Sequence, residues 1–388
     1  MRCALPAVGL FLLLAGCAST DVAPHRNPTA ALEDDERRLW ARAREEQARL
    51  DASDFHVRLP QVEDYLDGIV ARLRPDPLPN GGAFRTRVLV DPTLNAFAMP
   101  DGAIYVHTGL LAQAENEAQL ATVLAHEIVH ALHRHSLKGT RQVRNQTAIL
   151  ATLGAGTLGA GLAGSVVQLL GAVGTMASVT GYSRELEREA DAVGFRLLTA
   201  AGYDARESTR MFEAMLAEAD RAKHKSPYFF STHPRLQERI ASFEQLLSSL
   251  PPAASGTRTG RVELEAVLPP ALALNAEATL RLGDFDSTIA QAKRFLTLQP
   301  GHPHLAFVQA EAHRKRGQPD DAATALQLLQ ALEQSHSQFA PAQRSLGLLS
   351  LAQGRKPDAA RHFKRYLELE PAAADRGYIL DFLRQCEP

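Results

Sequence analysis

Two histidines four residues apart, His126 and His130, stand in a run whose Leu120, Leu124, Ile128 and Leu132 recur at every fourth position. That spacing predicts one long helix from about Asn116 to Leu137, with an aliphatic stripe on one face and both imidazoles on the opposite face. Residues at i and i+4 lie one turn apart, so the two rings can bind the same divalent ion. Glu127 sits beside them, placed to take a proton from water without being a ligand itself. A catalytic zinc needs three protein ligands and one open position. The chain must therefore fold so that a distant donor meets this helix. The best source is Ser183 to Asp191, where Glu187 and Asp191 are four apart on one helical face. Glu185 and Glu189 point to other faces and read as solvated charges, and His107, His133 and His135 read as surface or structural residues.

The surroundings of that helix change period. Glu33 to Leu50 is a charged helix anchored by Leu39 and Trp40, and Pro60 opens a second whose stripe is Val62, Leu66, Ile69 and Val70. Phe84 to Val90, Leu94 to Met99 and Ala103 to His107 then read as short strands. Pro100-Asp101-Gly102 supplies the turn of a hairpin, and Thr108-Gly109 starts a short helix. Residues 145–183 form 39 consecutive positions without a charge, long enough to ask about a membrane span. Eight glycines and a wealth of Ala, Ser and Thr argue against a lipid-facing helix. One crossing would also separate His126 and His130 from Glu187. The expectation is one or two helices packed on the domain or resting on a bilayer, in preference to a membrane hairpin.

A second helical unit runs from Arg184 to Leu247, and residues 248–268 begin with a Ser/Pro/Ala-rich stretch that reads as a linker. Beyond it Gly283, Gly317 and Gly354 lie 34 and 37 apart, each followed five positions on by Thr288, Ala322 or Ala359. Pro300, Gln334 and Pro371 fall seventeen residues after each glycine. Period and small residues together resemble tetratricopeptide repeats over 269–388, in which stacked helical hairpins form a concave surface for polypeptide. The middle unit departs from the pattern, lacking the proline and carrying about three extra residues.

At the other end, Arg2, an apolar run from Ala4 to Leu14 and Leu14-Ala15-Gly16-Cys17 read as an export signal over residues 1–16. The last four residues resemble a bacterial lipobox, which implies acylation of Cys17, and Ala18 after it resembles outer-membrane sorting. Residues 17–31 then read as a lipid-proximal tether and 32–247 as the domain carrying the histidines. With Cys3 removed and Cys17 acylated, Cys386 is left alone and no internal disulfide forms. The 42 basic and 44 acidic residues nearly cancel, so no positive field favours nucleic acid as a partner.

The upstream HExxH, the Glu187-to-Asp191 segment reading E-x-x-A-D, and the hairpin Asn95-Ala96-Phe97-Ala98-Met99-Pro100-Asp101-Gly102 together resemble the HtpX- and BepA-type zinc metallopeptidases, a gluzincin family, over about residues 85–245. The resemblance implies a fold that is mainly α with a small β-sheet, a zincin-like metallopeptidase domain followed by all-α repeats. It implies one zinc per chain on His126, His130 and Glu187, with Asp191 hydrogen-bonded to a ligand histidine. Phe230-Ser231-Thr232-His233-Pro234 resembles the S-T-H-P loop of the BepA-type branch, where the histidine can fill the fourth zinc position and keep the enzyme latent; on residue chemistry alone His233 reads as structural.

The chemistry expected is zinc-dependent endoproteolysis with Glu127 as base and a substrate extended beside the strand region 94–107. The resemblance implies an outer-membrane lipoprotein facing the periplasm, acting on unfolded or misassembled envelope proteins, with the barrel-assembly machinery as a partner of the repeats and the membrane reached through the lipid. The alternative is a repeat-based chaperone or assembly scaffold with a latent zinc site.

Overall fold

The computed structural model describes residues 18–155, 182–221, 236–251 and 256–387. Cys17, His233 and most of the uncharged stretch 145–183 lie outside them. Among the described residues no helix is long and apolar enough to cross a membrane. The chain is mainly helical with one three-stranded sheet.

Helices α1 (Asp34–Asp51) and α2 (Pro60–Leu73) come first, α2 opened by a proline whose missing N–H costs nothing in the first turn. The strands are β1 (Arg85–Leu89), β2 (Ala96–Ala98) and β3 (Ala103–His107), in the spatial order β1-β3-β2. β1 pairs parallel with β3, and β2 pairs antiparallel with it, Phe97 opposite Tyr105. The β2–β3 turn closes at Gly102, where φ is +98° and an added Cβ would lie 2.5 Å from Leu78 Cδ1. Only glycine suits that corner.

Helices α3 (Thr108–Gln113) and α4 (Glu117–Leu132) follow, then α5 (His135–Ala155). Every residue of α4 is buried, so the face that carries the histidines is covered as fully as the aliphatic stripe. The helix is also shorter than the periodicity suggested. It ends at His133, and Arg134 adopts a left-handed φ of +58° before α5 begins. A non-glycine residue is costly there, and the Arg134 guanidinium is held by Glu36 at 2.5 Å and Glu33 at 2.8 Å.

Residues 18–33 lie against α5. Ala18 N–H donates to Asn145 Oδ1 and Asn145 Nδ2 donates back to Ala18 O. His25 N–H donates to Leu132 O, and Arg141 clasps both Glu33 and Asp35. Val22 and Leu32 are buried with it.

Helices α6 (Arg184–Ala200), α7 (Glu207–Arg221) and α8 (Leu236–Ser249) complete the unit around α4. The stretch read as a linker is folded from residue 256 onward. Tyr203 and Arg258 form a bridge, Ala118 N–H donates to Thr259 O, and α9 (Arg261–Val267) buries Leu264.

The remaining chain is a series of antiparallel helix pairs: α10 (Pro269–Leu282) with α11 (Phe285–Leu298), α12 (Pro303–Arg316) with α13 (Asp321–Ser335), α14 (Ala340–Ala352) with α15 (Lys356–Leu369), and α16 (Arg376–Cys386). Gly283, Gly317 and Gly354 close the three turns in left-handed conformation. In the first and third pairs the small residue five positions on is buried, Thr288 and Ala359. The middle pair differs. Its second helix starts four residues after the glycine instead of two, so Ala322 is exposed and Ala325 takes the buried place.

This helical series shares its core with the first unit. Leu268, Ala271, Leu272 and Ala276 join the cluster that contains Leu110 and Leu111. Thr108 Oγ1 donates to Asn275 Oδ1 at 2.8 Å inside it. Arg294 on α11 donates to Ala112 O and Ala114 O at 2.7 and 2.8 Å, satisfying carbonyls at the end of α3. Each fully buried leucine stabilises by about 1.5–3 kcal/mol, so a chain cut after residue 251 should aggregate. Soluble yield and size exclusion against the full chain test this; a monodisperse 18–251 fragment with a cooperative melt would show that α3 does not need its cover.

Candidate metal centre

Helix α4 starts at an Asn116 cap, whose side chain accepts from Gln119 N, and enters the core with its histidine pair one turn before its end. Helix α6 crosses it closely. Gly194 permits this, since a Cβ there would stand 3.2 Å from His126 N. The crossing brings Glu187, in the first turn of α6, over the pair. His126 Nε2 and His130 Nε2 are 2.9 Å apart, and the Glu187 carboxylate oxygens stand 3.5 Å from each. All three residues are buried. Two imidazole nitrogens and a carboxylate oxygen converging on one point, with each donor supplied from a rigid helix, is the donor set a catalytic zinc takes. The residues fit such an ion.

Asp191, one turn after Glu187, places Oδ1 2.9 Å from His126 Nδ1. An N–H donated to Asp191 from that side would turn the Nε2 lone pair toward the metal position. Burial alone would raise the Asp191 carboxyl, but the Arg239 charge and the His126 contact outweigh it and hold it at about 2. Arg239 comes from α8 and was not among the residues the sequence pointed to. It reaches into the centre with Nη2 2.7 Å from Asp191 Oδ1 and Nε 3.1 Å from Oδ2, and its guanidinium lies 4.3 Å from the Phe212 ring centre. Nη1 is 3.7 Å from Glu187 Oε2. No local pattern could have singled it out, because its partners lie 48 and 52 residues upstream.

Glu127 faces the sheet. Its Oε2 accepts the Ala98 N–H at 3.0 Å, and the residue is 1% exposed. β2 is an edge strand, so Ala98, next to the inward-bonded Phe97, turns its backbone groups away from β3. The carboxylate is thereby fixed between the histidine pair and the edge of the sheet. Ala98 is partly exposed, whereas Ala96 is covered.

Tyr182 stacks on the His130 ring with centroids 4.0 Å apart, and its hydroxyl shares a hydrogen bond with Ser136 Oγ. Burial, with the Glu127 and Glu187 charges, pushes its phenol up, so it stays a neutral donor. A cleft of about 630 Å³ opens here, lined in part by Tyr182, Glu187, Asp191 and Arg239.

The remaining acidic and histidine residues separate. Glu185 is exposed, as the solvated reading has it. Glu189 is partly exposed and also paired, with His133 Nδ1 at 2.5 Å, His135 Nε2 at 3.3 Å and Lys138 at 3.7 Å. His135 is fully buried, and burial lowers its pKa to about 3 against the pull of Glu189. His107 is a structural residue, buried beside Thr93 and Asp91. His233 and Cys17 lie outside the described residues.

Comparison with known proteins agrees with this geometry. Residues 61–247 match Peptidase family M48. The chain is 33% identical over 198 residues to a Vibrio cholerae protein named as a beta-barrel assembly-enhancing protease, covering 50% of this chain and 40% of that one. The beta-barrel assembly-enhancing protease of Escherichia coli is 27% identical over the same length, with the same coverage. The mitochondrial metalloendopeptidase OMA1 of Schizosaccharomyces pombe is 36% identical over 160 residues, 41% of this chain and 45% of that protein. The chain thus aligns with less than half the length of these relatives. The donor set and the helix crossing agree with the match of residues 61–247 to Peptidase family M48.

Proposed function

We propose that the chain is a zinc-dependent endopeptidase of unfolded or misassembled envelope proteins, one zinc per chain, held at the outer membrane by a lipid on Cys17 and facing the periplasm. The observation that carries the reading is a base tied to a strand edge beside a three-donor centre: Glu127 on Ala98, with His126, His130 and Glu187 adjacent. An ion held by those three residues would polarise a peptide carbonyl and acidify water. Glu127 takes the proton and returns it to the departing amine. The substrate backbone lies extended along β2, entering at Ala98, where pairing needs no particular side chain. A site that reads strand edges favours polypeptide that has failed to pair its own. Relatives named for barrel assembly support an envelope substrate. The repeats over 269–388, read as tetratricopeptide-like, are the surface offered to polypeptide and to the barrel-assembly machinery.

The fourth position is assigned to His233 as a latch that substrate displaces. One experiment tests centre and latch together: metal content and casein cleavage measured side by side, before and after chelation. Chelation should abolish cleavage and zinc should restore it, while His233→Ala should cleave at least as fast as wild type. Activity that survives complete loss of metal would refute the reading, and a strong loss in the His233 variant would remove the latch.

A further inference from the structure

The two ligand imidazoles are backed differently. His126 has a carboxylate against its Nδ1 directly, through Asp191. His130 has another imidazole there instead: His135 Nδ1 lies 2.9 Å from His130 Nδ1, with the rings nearly perpendicular at 81°. The reversal at Arg134 makes this possible. Its left-handed φ ends α4 and folds the first residue of α5 back beneath the turn that carries His130. On its far side His135 Nε2 points at Glu189 Oε2, 3.3 Å away. Glu189 is carried on α6 two residues after Glu187, so one helix supplies both the third donor and the end of this chain of contacts.

The order of protons follows from the geometry. A nitrogen facing a carboxylate is the N–H side of a neutral imidazole, so His135 Nε2 donates to Glu189 and its Nδ1 is left as an acceptor. His130 Nδ1 must then carry the proton that His135 accepts, which leaves His130 Nε2 with a bare lone pair facing His126 Nε2 and Glu187. Glu189 is itself fixed by His133 Nδ1 on its other oxygen and by Lys138.

We propose that Glu189 and His135 form a positioning relay that sets the tautomer and aim of His130 and so raises the metal affinity of the centre. The proposal rests on His130 being a zinc ligand. His133, His135 and Glu189 could also be read as a second cation site. The Lys138 ammonium, 3.7 Å from the shared carboxylate, puts a positive charge beside the place such an ion would occupy. Outer partners of this kind change metal affinity about 10–100-fold.

The test is zinc affinity of the full chain by competition with a chromophoric chelator, alongside thermal melting of the zinc-free proteins. Wild type should bind one equivalent and His130→Ala should lose it. His135→Ala should weaken binding by about 10–100-fold. His135→Asn should recover most of that loss, because its side-chain oxygen falls near the lost Nδ1 and accepts the same proton. Without zinc the His135→Ala and His135→Asn variants should melt alike, so that their difference in affinity is not one of stability. Wild-type affinity in His135→Ala, or an Asn variant as weak as the Ala variant, overturns the relay while leaving the centre intact. Two equivalents of zinc, with the second lost in His133→Ala, replaces the relay by a cation site. A wild type that binds no zinc overturns the centre and the relay with it.

Discussion

Glu127→Gln should reduce cleavage of denatured casein by at least about 100-fold, within the 10²–10⁴ range of a general base, while the chain keeps its full zinc content. The two halves of that expectation have different origins. In the fold Glu127 accepts the Ala98 amide, which a glutamine oxygen can also accept, so the α4–β2 contact should be kept. In the chemistry an amide cannot take a proton from water at neutral pH. Hydrolysis rate and metal content on the same preparation give the answer, and a variant that retains more than a tenth of wild-type activity would remove Glu127 from the mechanism. The same substitution separates protease from scaffold. If the glutamine variant fully restores the envelope of a deletion strain, the repeats and not the cleavage carry the physiological role.

The second large effect is on stability. Arg239→Met should cost about 3–5 kcal/mol, the usual result of removing one partner of a buried ion pair. That is a fall of roughly 10 °C in the melting point of a domain this size. The Asp191 carboxylate loses both guanidinium bonds, Glu187 loses a nearby positive charge, and Phe212 loses the plane that covers it. Methionine fills much of the space, so the loss reports charge more than volume. Adding Asp191→Asn should recover part of the melting point in the zinc-free protein, since the two changes act on one pair. The pH dependence has a definite sign. The folded Asp191 carboxyl sits at about 2, below its unfolded value of roughly 3.9. Its contribution is therefore complete above about pH 4 and is lost as pH falls through 2. Arg239→Met should differ most from wild type near neutrality and converge with it in strong acid. Equal melting points at pH 7 would show that the pair contributes nothing.

What could be read beforehand follows the range of the interactions. The histidine pair and Glu127 were legible because helical spacing is local, and Glu187 with Asp191 because four-residue spacing put them on one face of a second helix. The strands and the Gly102 turn were legible through alternation and turn chemistry. Arg239 was not, since a lone arginine on α8 carries no spacing signal. Glu189 and His135 were taken for solvated or structural groups, because their meeting depends on the break at Arg134. The Arg134 side chain at that break is held by ion pairs with Glu33 and Glu36, 101 and 98 residues upstream. Residues 18–33 are short on large apolar side chains, yet Arg141 and Asn145 bind them. In the middle helix pair a longer turn moved the buried position from Ala322 to Ala325, a shift that a fixed count from the glycine could not register.

The lock formed by Asn275 and Arg294 makes the α10–α11 pair a fixture in place of a swinging arm. A polypeptide gripped by those helices would meet the cutting point at one set span from the grip, as along a ruler. Its fragments would then cluster around a narrow size, where a loosely hung arm would leave a broad ladder.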